Sequence, residues 1–317
     1  MSTTTQQESQ KDPTRDPTGA RHLIETRLID GKALASEVRA EVARRVEALQ
    51  ATHGLTPRLD VVLVGEHGPS QLYVKFKAKA AKEVGVEAHL HTFPSDISAQ
   101  ALREAVRALN HNPAVHGVLV QLPLPDHISQ EEAWSIVEEV DAHKDVDGFH
   151  PLNQGRLGQP SAPSEGFVAC TPLGCMRLLK EALGDLTKLS GVEAVVVGRS
   201  RIVGRPMAQL LTAANATVTV CHSRTKDLSA HLKRADVVVA AAGVPRLIKG
   251  RDLKPGAIVI DVGIHHHPEW GRCGDVDSAS LQGIASAFTP VPGGVGPMTI
   301  AMLMHNVCLA AEREVAP

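Results

Sequence analysis

The sequence predicts an α/β chain of two three-layer units. The second is a doubly wound parallel sheet, and a C-terminal helix packs back on the first unit. Three observations predict this. Short β-branched runs alternate with stretches of helical period, the pattern of parallel βαβ units. Glycines follow several of those runs, at Gly65, Gly198, Gly243 and Gly263, where an open sheet presents residues to a ligand beyond its strand ends. The length of 317 residues suggests about two domains. The expected division is a disordered tail over 1–21, a first unit over 22–148 joined by 298–317, and a second unit over 149–297.

Composition excludes several function classes. The net charge of −2 offers no field for nucleic acid or an anionic membrane. No run of eighteen apolar residues exists, so no membrane-spanning helix is expected. The polar N-terminus lacks the apolar centre of a secretion signal, and its acids argue against a transit peptide. The five cysteines are scattered without a Cys-x-x-Cys pair, which suggests reduced thiols in a cytoplasm and no structural zinc.

Taken in order, Lys32 to about Gln50 repeats Leu34, Val38, Val42, Val46 and Leu49 at helical spacing. Leu59 to Val64 is a buried strand. Gly65 to Lys77 then leads into a helix over Val74 to Val84. Tyr73, the only tyrosine, stands four residues before Lys77, so both side chains share one helix face. An aromatic plate beside an amine suits a flat ring that exchanges a proton. A lysine does acid–base work near neutrality only if its pKa is lowered. The alternative is a solvated face, since Lys75, Lys79 and Lys82 lie nearby. Val86 to Phe93 alternates like a strand. Ser98 is placed to cap a helix to about Leu109. His116 to Gln121 is an apolar strand, stopped by Leu122-Pro-Leu-Pro125 because proline cannot donate to a ladder. Glu131 to Val140 is a short helix.

Asp145-Val-Asp147-Gly-Phe opens a stretch rich in Pro, Gly, Asn and Ser to about Ser164. The three strands should bring Tyr73, Lys77 and Gln121 to one sheet edge, with Asp147 at the hinge. A carboxylate there can accept two N–H groups from a ring amidine or aminopyrimidine. The alternative is that Asp145 or Asp147 caps a turn, because Asp-Gly is a common turn pair.

In the second unit, Thr171 suits an N-cap with Pro172 in the first turn. Val192 to Val197 is a buried strand. A loop from Gly198 through Arg199 and Ser200 to Gly204 follows, then a helix to about Ala213. Backbone N–H groups at that helix start favour phosphate. The spacing departs from Gly-x-Gly-x-x-Gly. The strand from Thr217 ends in His222-Ser223-Arg224, where NAD enzymes place an acid for the ribose 2′-hydroxyl. With Ser223 and Arg224 there, and Arg199 in the preceding loop, a 2′-phosphate fits and NADP is expected over NAD. Ordinary turn chemistry with surface arginines is the alternative. Asp236 to Ala241 and Ala257 to Val262 are further buried strands. His265-His-His267 reads as part of a loop whose neighbours point in different directions, so no metal is expected. Thr289 to Thr299 alternates Pro and Gly, giving a stiff loop able to approach a ligand closely. Pro297 suits N1 of the last helix, Thr299 to about Ala311.

Together, several stretches resemble the bifunctional methylenetetrahydrofolate dehydrogenase/methenyltetrahydrofolate cyclohydrolase family. They are Ser70-Gln-Leu-Tyr-Val-Lys-Phe-Lys77, Val120-Gln-Leu-Pro-Leu-Pro125, Lys144-Asp-Val-Asp-Gly-Phe149 and Gly198-Arg-Ser-Arg-Ile-Val-Gly-Arg-Pro206. Three more are Asp261-Val-Gly-Ile264, Gly274-Asp-Val-Asp277 and Thr289-Pro-Val-Pro-Gly-Gly-Val-Gly-Pro-Met-Thr299. They cover about Leu28 to Val307. The resemblance implies oxidation of 5,10-methylenetetrahydrofolate with NADP⁺, then hydrolysis of the methenyl product to 10-formyltetrahydrofolate in one cleft. Lys77 would activate the water, held by Gln121. Tyr73 would stack on the folate, and Asp147 would bind the pterin edge. Leu122 and Pro292, Gly293, Gly294 and Val295 would complete the folate side. Gly198, Arg199, Ser200, Gly204, Ser223 and Arg224 would hold the cofactor, with Ile264 near the nicotinamide. The resemblance also implies a homodimer formed through the cofactor domains. Arg205 and the stretch His265 to Arg272 depart from the family pattern. The alternatives are a dehydrogenase without cyclohydrolase activity and a silent nucleotide-binding scaffold.

Overall fold

Residues 24–159 and 166–316 are described by a computed structural model. The tail expected over 1–21 lies outside them. The chain opens with β1 (Arg27–Leu28) and α1 (Gly31–His53). Asp30 caps α1, its carboxylate accepting the N–H groups of Lys32 and Ala33 at 3.0 Å each. Next come β2 (Arg58–Val64), α2 (Gly68–Val84), β3 (Glu87–Phe93), α3 (Ala99–His111), β4 (Gly117–Val120) and α4 (Gln130–Val137). The strands form a parallel three-stranded sheet in the order β3-β2-β4. Leu59, Val61 and Leu63 face α1, while Val62 and Val64 face Leu102 and Val106 of α3. Coverage of both faces explains why β2 reads as an unbroken apolar run. The strand expected over Val86–Phe93 is an edge strand, largely exposed from Glu87 to Leu90, so its alternation does not mark a buried face.

The chain continues through α5 (Pro151–Arg156), α6 (Cys170–Leu183), β5 (Glu193–Val197), α7 (Gly204–Ala213), β6 (Thr217–Cys221), α8 (Leu228–Leu232), β7 (Val237–Ala240) and β8 (Ile258–Asp261). The hairpin β9 (His265–His267) and β10 (Gly271–Cys273) precedes β11 (Ala287–Phe288) and α9 (Val295–Val315). A six-stranded parallel sheet runs β1-β11-β8-β7-β5-β6. On β5, Ala194 and Val196 pack with Leu178, Met207 and Leu211 of the helices on one face. Val195 and Val197 pack with Leu232, Ile248 and Leu253 on the other. This is the expected doubly wound architecture.

Four local readings are corrected. Helix α2 begins at Gly68, six residues before the expected start, with Pro69 in its first turn, where its missing N–H and fixed φ cost nothing. Thr171 is not the N-cap of α6. Ala169 holds that position, and the Thr171 hydroxyl meets Thr299 Oγ1 at 3.0 Å instead. Pro297 is the third residue of α9 rather than the first, because the helix starts at Val295 after Gly294. The His265–His267 stretch is a strand paired antiparallel with Gly271–Cys273 rather than loop. In addition, Arg27 and Leu28 pair with Ala287 and Phe288 at the edge of the large sheet. Helix α9 packs on both α1 and α6. Its buried Asn306 donates to Val146 O at 2.8 Å and Val168 O at 3.0 Å, joining the hinge to the core.

Candidate active site

The cleft lies at the carboxyl ends of both sheets, as the strand–turn–helix order demands. Helix α2 carries Tyr73 and Lys77 on its cleft-facing side. Lys77 Nζ donates to Gln121 Oε1 at 2.9 Å. Gln121 follows β4, and its Nε2 donates to Leu122 O at 2.7 Å. That second bond fixes which end of the amide faces the lysine. Lys77, Tyr73, Gln121, Leu122 and Asp147 line one hollow of about 350 Å³, a size within the range of small-molecule sites.

Asp145 and Asp147 have different fates. Asp145 is buried and accepts Phe149 N at 3.1 Å, His150 N at 2.8 Å and Asn153 Nδ2 at 2.9 Å. It is the turn cap. Burial pushes its carboxyl up to about 7, against the pull of Asn153 and the two backbone N–H groups. Asp147, two residues on, faces the hollow. Burial raises its carboxyl too, opposed by the Lys77 charge and then by the Cys170 thiol. Gly148 between them and the helix has φ +73°, and a Cβ there would lie 2.4 Å from Ala169 N. The turn is therefore pressed against the start of α6.

A carboxyl whose folded pKa is raised holds its proton better in the folded chain. Its stabilising contribution is present below the unfolded value of 3.8 and is lost as pH rises toward 7. Asp145→Asn is therefore expected to lower the melting temperature most near pH 5 and less near pH 8. A deficit that widens with pH, in thermal unfolding of both proteins, contradicts this.

A second hollow of about 220 Å³ continues past Tyr73. Ile264, Pro292, Gly293, Gly294 and Val295 line it with Tyr73, so the tyrosine is shared by the two hollows. The proline–glycine loop is tight for a geometric reason. Gly293 has φ +108°, and a Cβ on Gly294 would fall 2.6 Å from Pro290 O. Helix α1 touches the same loop, since a Cβ on Gly31 would sit 2.0 Å from Gly294 O.

On the large sheet, Gly198 follows β5 with φ +133°, and a Cβ there would stand 2.0 Å from Ala241 O. A Cβ on Gly204 would stand 2.2 Å from Gly198 O. The loop thus folds tightly onto the start of α7, closed by Ser200 Oγ, which accepts Val203 N at 3.2 Å and Gly204 N at 3.3 Å. Arg199 and Ser200 are exposed and line a groove against Trp134 of α4 and Glu138, the residue that caps that helix's C-terminus. In the same groove Arg201 pairs with Glu138 and lies over the Trp134 ring at 4.5 Å. Ser223 and Arg224 are exposed just beyond β6, the strand beside β5. No acid stands at that strand end.

Several lining residues were not expected in the site from the sequence. Cys170, Thr171, Thr299, Ile300 and Leu303 border the lysine hollow. Cys170 is buried and donates to Val146 O at 3.3 Å, and burial pushes its thiol well up. The three histidines diverge. His265 Nε2 lies 2.7 Å from Asp275 Oδ1, and His267 stacks on Trp270 with ring centroids 3.8 Å apart. Among the described residues no group of three or more His, Cys, Asp or Glu is gathered to hold a metal ion. No helix among the described residues is long and apolar enough to cross a membrane.

Comparison with known proteins follows the same two halves. Residues 29–147 match the model of the tetrahydrofolate dehydrogenase/cyclohydrolase catalytic domain, and residues 169–315 match that of its NAD(P)-binding domain. A bifunctional protein FolD from Erythrobacter litoralis is 53% identical over 293 residues, covering 90% of this chain and 95% of its own. The FolD crystal structure from Campylobacter jejuni is 45% identical, with TM-score 0.86, covering 92% of this chain and 100% of its own. The Trypanosoma brucei enzyme, described as complexed with NADP cofactor and inhibitor, is 36% identical with TM-score 0.85, covering 92% of this chain and 99% of its own. With both halves matched in order, the chain belongs to the tetrahydrofolate dehydrogenase/cyclohydrolase family.

Proposed function

We propose that the cleft lined by Tyr73, Lys77, Gln121 and Asp147 carries both reactions of the family at one site. The enzyme oxidises 5,10-methylenetetrahydrofolate to 5,10-methenyltetrahydrofolate with NADP⁺, then hydrolyses the product to 10-formyltetrahydrofolate. The observation that carries the site reading is the 2.9 Å bond from Lys77 Nζ to Gln121 Oε1, in the hollow that Tyr73 and Asp147 also line.

The residues on the large sheet fit NADP. Gly198 and Gly204 let the loop fold onto neighbouring backbone more closely than any side chain allows, setting it at the start of α7, where backbone N–H groups favour phosphate, and the strand end at Ser223 and Arg224 has cationic and hydroxyl groups where an acid would repel a phosphate. NADP⁺ supplies the hydride acceptor when bound. The chain's own residues hold the folate. Asp147 accepts N–H groups of the pterin edge, Tyr73 stacks beneath the ring system, and Leu122 and Pro292 to Val295 enclose it. Gly198, Arg199, Ser200, Gly204, Ser223 and Arg224 hold the cofactor phosphates, with Ile264 beside the nicotinamide. Loss of the hydride leaves a cation at the bridging carbon of the folate. Water adds to that carbon, one of its C–N bonds opens, and one proton is released. Lys77 Nζ takes that proton in its neutral amine form, while Gln121 keeps it aimed at the water. The folate side is residues 22–148 with 298–317 and the cofactor side is 149–297, except that Arg27 and Leu28 lie at the edge of the cofactor sheet.

The chain acts as a homodimer through the cofactor side, supported by the exposed edge of β6, where Val220 is 39% exposed. It acts in the cytoplasm, supported by five cysteines that are all free.

Arg199→Ala tests the cofactor reading. A lost charge-assisted bond is worth about 1.5–3 kcal/mol, so the Kd for NADP⁺ should rise about tenfold or more while that for NAD⁺ changes less than twofold. Equal weakening of both, by titration of the purified protein, shows that Arg199 does not read the 2′-phosphate.

A further inference from the structure

Resting on that reading of the cleft, we infer that Arg272, with His266 beside it, binds the glutamate carboxylates at the tail of the folate. Strand pairing puts the two residues together. Arg272 stands directly opposite His266 in the hairpin of β9 and β10, and alternation along each strand sends both to the same face. That face is the second hollow, which Arg272 and His266 line together with Tyr73 and Gly293. The neighbouring histidines face the other way and are engaged, His265 with Asp275 and His267 with Trp270.

The hairpin is braced. Arg246 lies over Trp270 at 4.8 Å and pairs with Asp277 at 2.5 Å. Arg272 is different from these cations. It is exposed, and among the described residues neither it nor His266 has a hydrogen-bond or ion-pair partner. Arg272 also borders a shallow hollow with Asp261 and Asp277, but both acids are occupied. Asp261 accepts the N–H groups of Gly263, Asp275 and Val276, and Asp277 pairs with Arg246.

The direction of the substrate follows from the shared tyrosine. A pterin held by Asp147 and Lys77 occupies the first hollow, and its aryl spacer must leave over Tyr73. Among the described residues the second hollow continues along that shared wall, lined by Leu72, Phe76 and the Pro–Gly loop together with Asp261, its Ile264 end being the part beside the nicotinamide. Beyond the aryl group the substrate carries glutamate, whose carboxylates suit a planar guanidinium bidentately. An unpaired arginine at the mouth of an apolar passage therefore gives the tail a charge partner without touching the reacting carbon.

The test compares 5,10-methylene derivatives of tetrahydropteroate, which lacks glutamate, with tetrahydropteroyl mono- and triglutamate. Arg272→Ala, Arg272→Lys and the wild-type enzyme are each assayed for NADP⁺ reduction. The expected result is a KM for the mono- and triglutamate forms raised about tenfold in Arg272→Ala with kcat within twofold. The pteroate form should be unchanged, and Arg272→Lys should recover most of the affinity. The wild-type KM for the triglutamate should also rise with salt. An Arg272→Ala enzyme with the wild-type KM for all three substrates overturns the inference and leaves the folate reading intact. So does a KM raised equally for all three. A wild-type enzyme that oxidises none of them overturns the folate reading and this inference with it.

Discussion

Lys77→Met should abolish hydrolysis of methenyltetrahydrofolate while leaving NADP⁺-dependent oxidation of methylenetetrahydrofolate measurable. Methionine keeps most of the side-chain length and removes the amine. The acid–base partner of the attacking water is then gone, and a positioned group of this kind contributes about 100- to 10,000-fold. The loss reaches the neighbours as well. Gln121 Oε1 no longer receives the 2.9 Å bond, and Asp147 loses the positive charge that opposes its burial. Nothing in the cofactor loop changes, because residues 198–204 belong to the other sheet. The expected result is cyclohydrolase reduced at least about 100-fold, with dehydrogenase and folate binding retained. Hydrolysis at the wild-type rate in this variant would remove Lys77 from the chemistry.

The second large effect is expected at Gly198. An alanine there must hold φ near +133° and place its Cβ 2.0 Å from Ala241 O and 2.7 Å from Ala241 C. Both partners are backbone, so no flexible side chain can yield. The ends of β5 and β7 must part, and the loop that leads to α7 moves with them. Strained φ alone costs about 1–3 kcal/mol, and the overlap adds to it. A destabilisation of about 3 kcal/mol or more is expected, with NADP⁺ binding weakened at least about tenfold. Gly191→Ala is the comparison. Gly191 has φ +76° and nothing within 4 Å of its Cβ position, so that variant bears the strain without the overlap. A Gly198→Ala protein as stable as Gly191→Ala, with wild-type cofactor affinity, contradicts the close-approach argument.

The legible parts of the fold were those that physics repeats. Apolar runs covered on both faces marked β2, β5, β7 and β8, and helical spacing marked α1. The Tyr73/Lys77 pairing was legible because four residues make one helical turn. What failed was punctuation. Gly68, Pro69 and Ser70 lie before the expected helix start at Val74, yet they form the first turn of α2, where proline is pre-organised. Thr171 read as a cap because its hydroxyl could accept a backbone N–H, but Thr299 from α9 reaches it. No local pattern foresees a partner 128 residues away. The two-residue β1 is too short for any period to show.

The site was legible to the same depth. Asp145 and Asp147 could not be separated, since both sit in one turn; packing against Asn153 turns one inward, and the other faces Lys77. Cys170 and Thr299 enter the cleft wall only through the packing of α6 and α9. The placement of Arg272 depended on hairpin register, which a run of three histidines next to a proline concealed.

One cleft is expected to perform both reactions with NADP⁺. This is tested most directly by following purified enzyme spectrophotometrically with 5,10-methylenetetrahydrofolate and either NADP⁺ or NAD⁺. NADPH formation is expected, with little or no NADH, and a methenyl product that rises and is then consumed to 10-formyltetrahydrofolate. A methenyl product that accumulates without hydrolysis, or silence with NADP⁺ in folded protein, would contradict it.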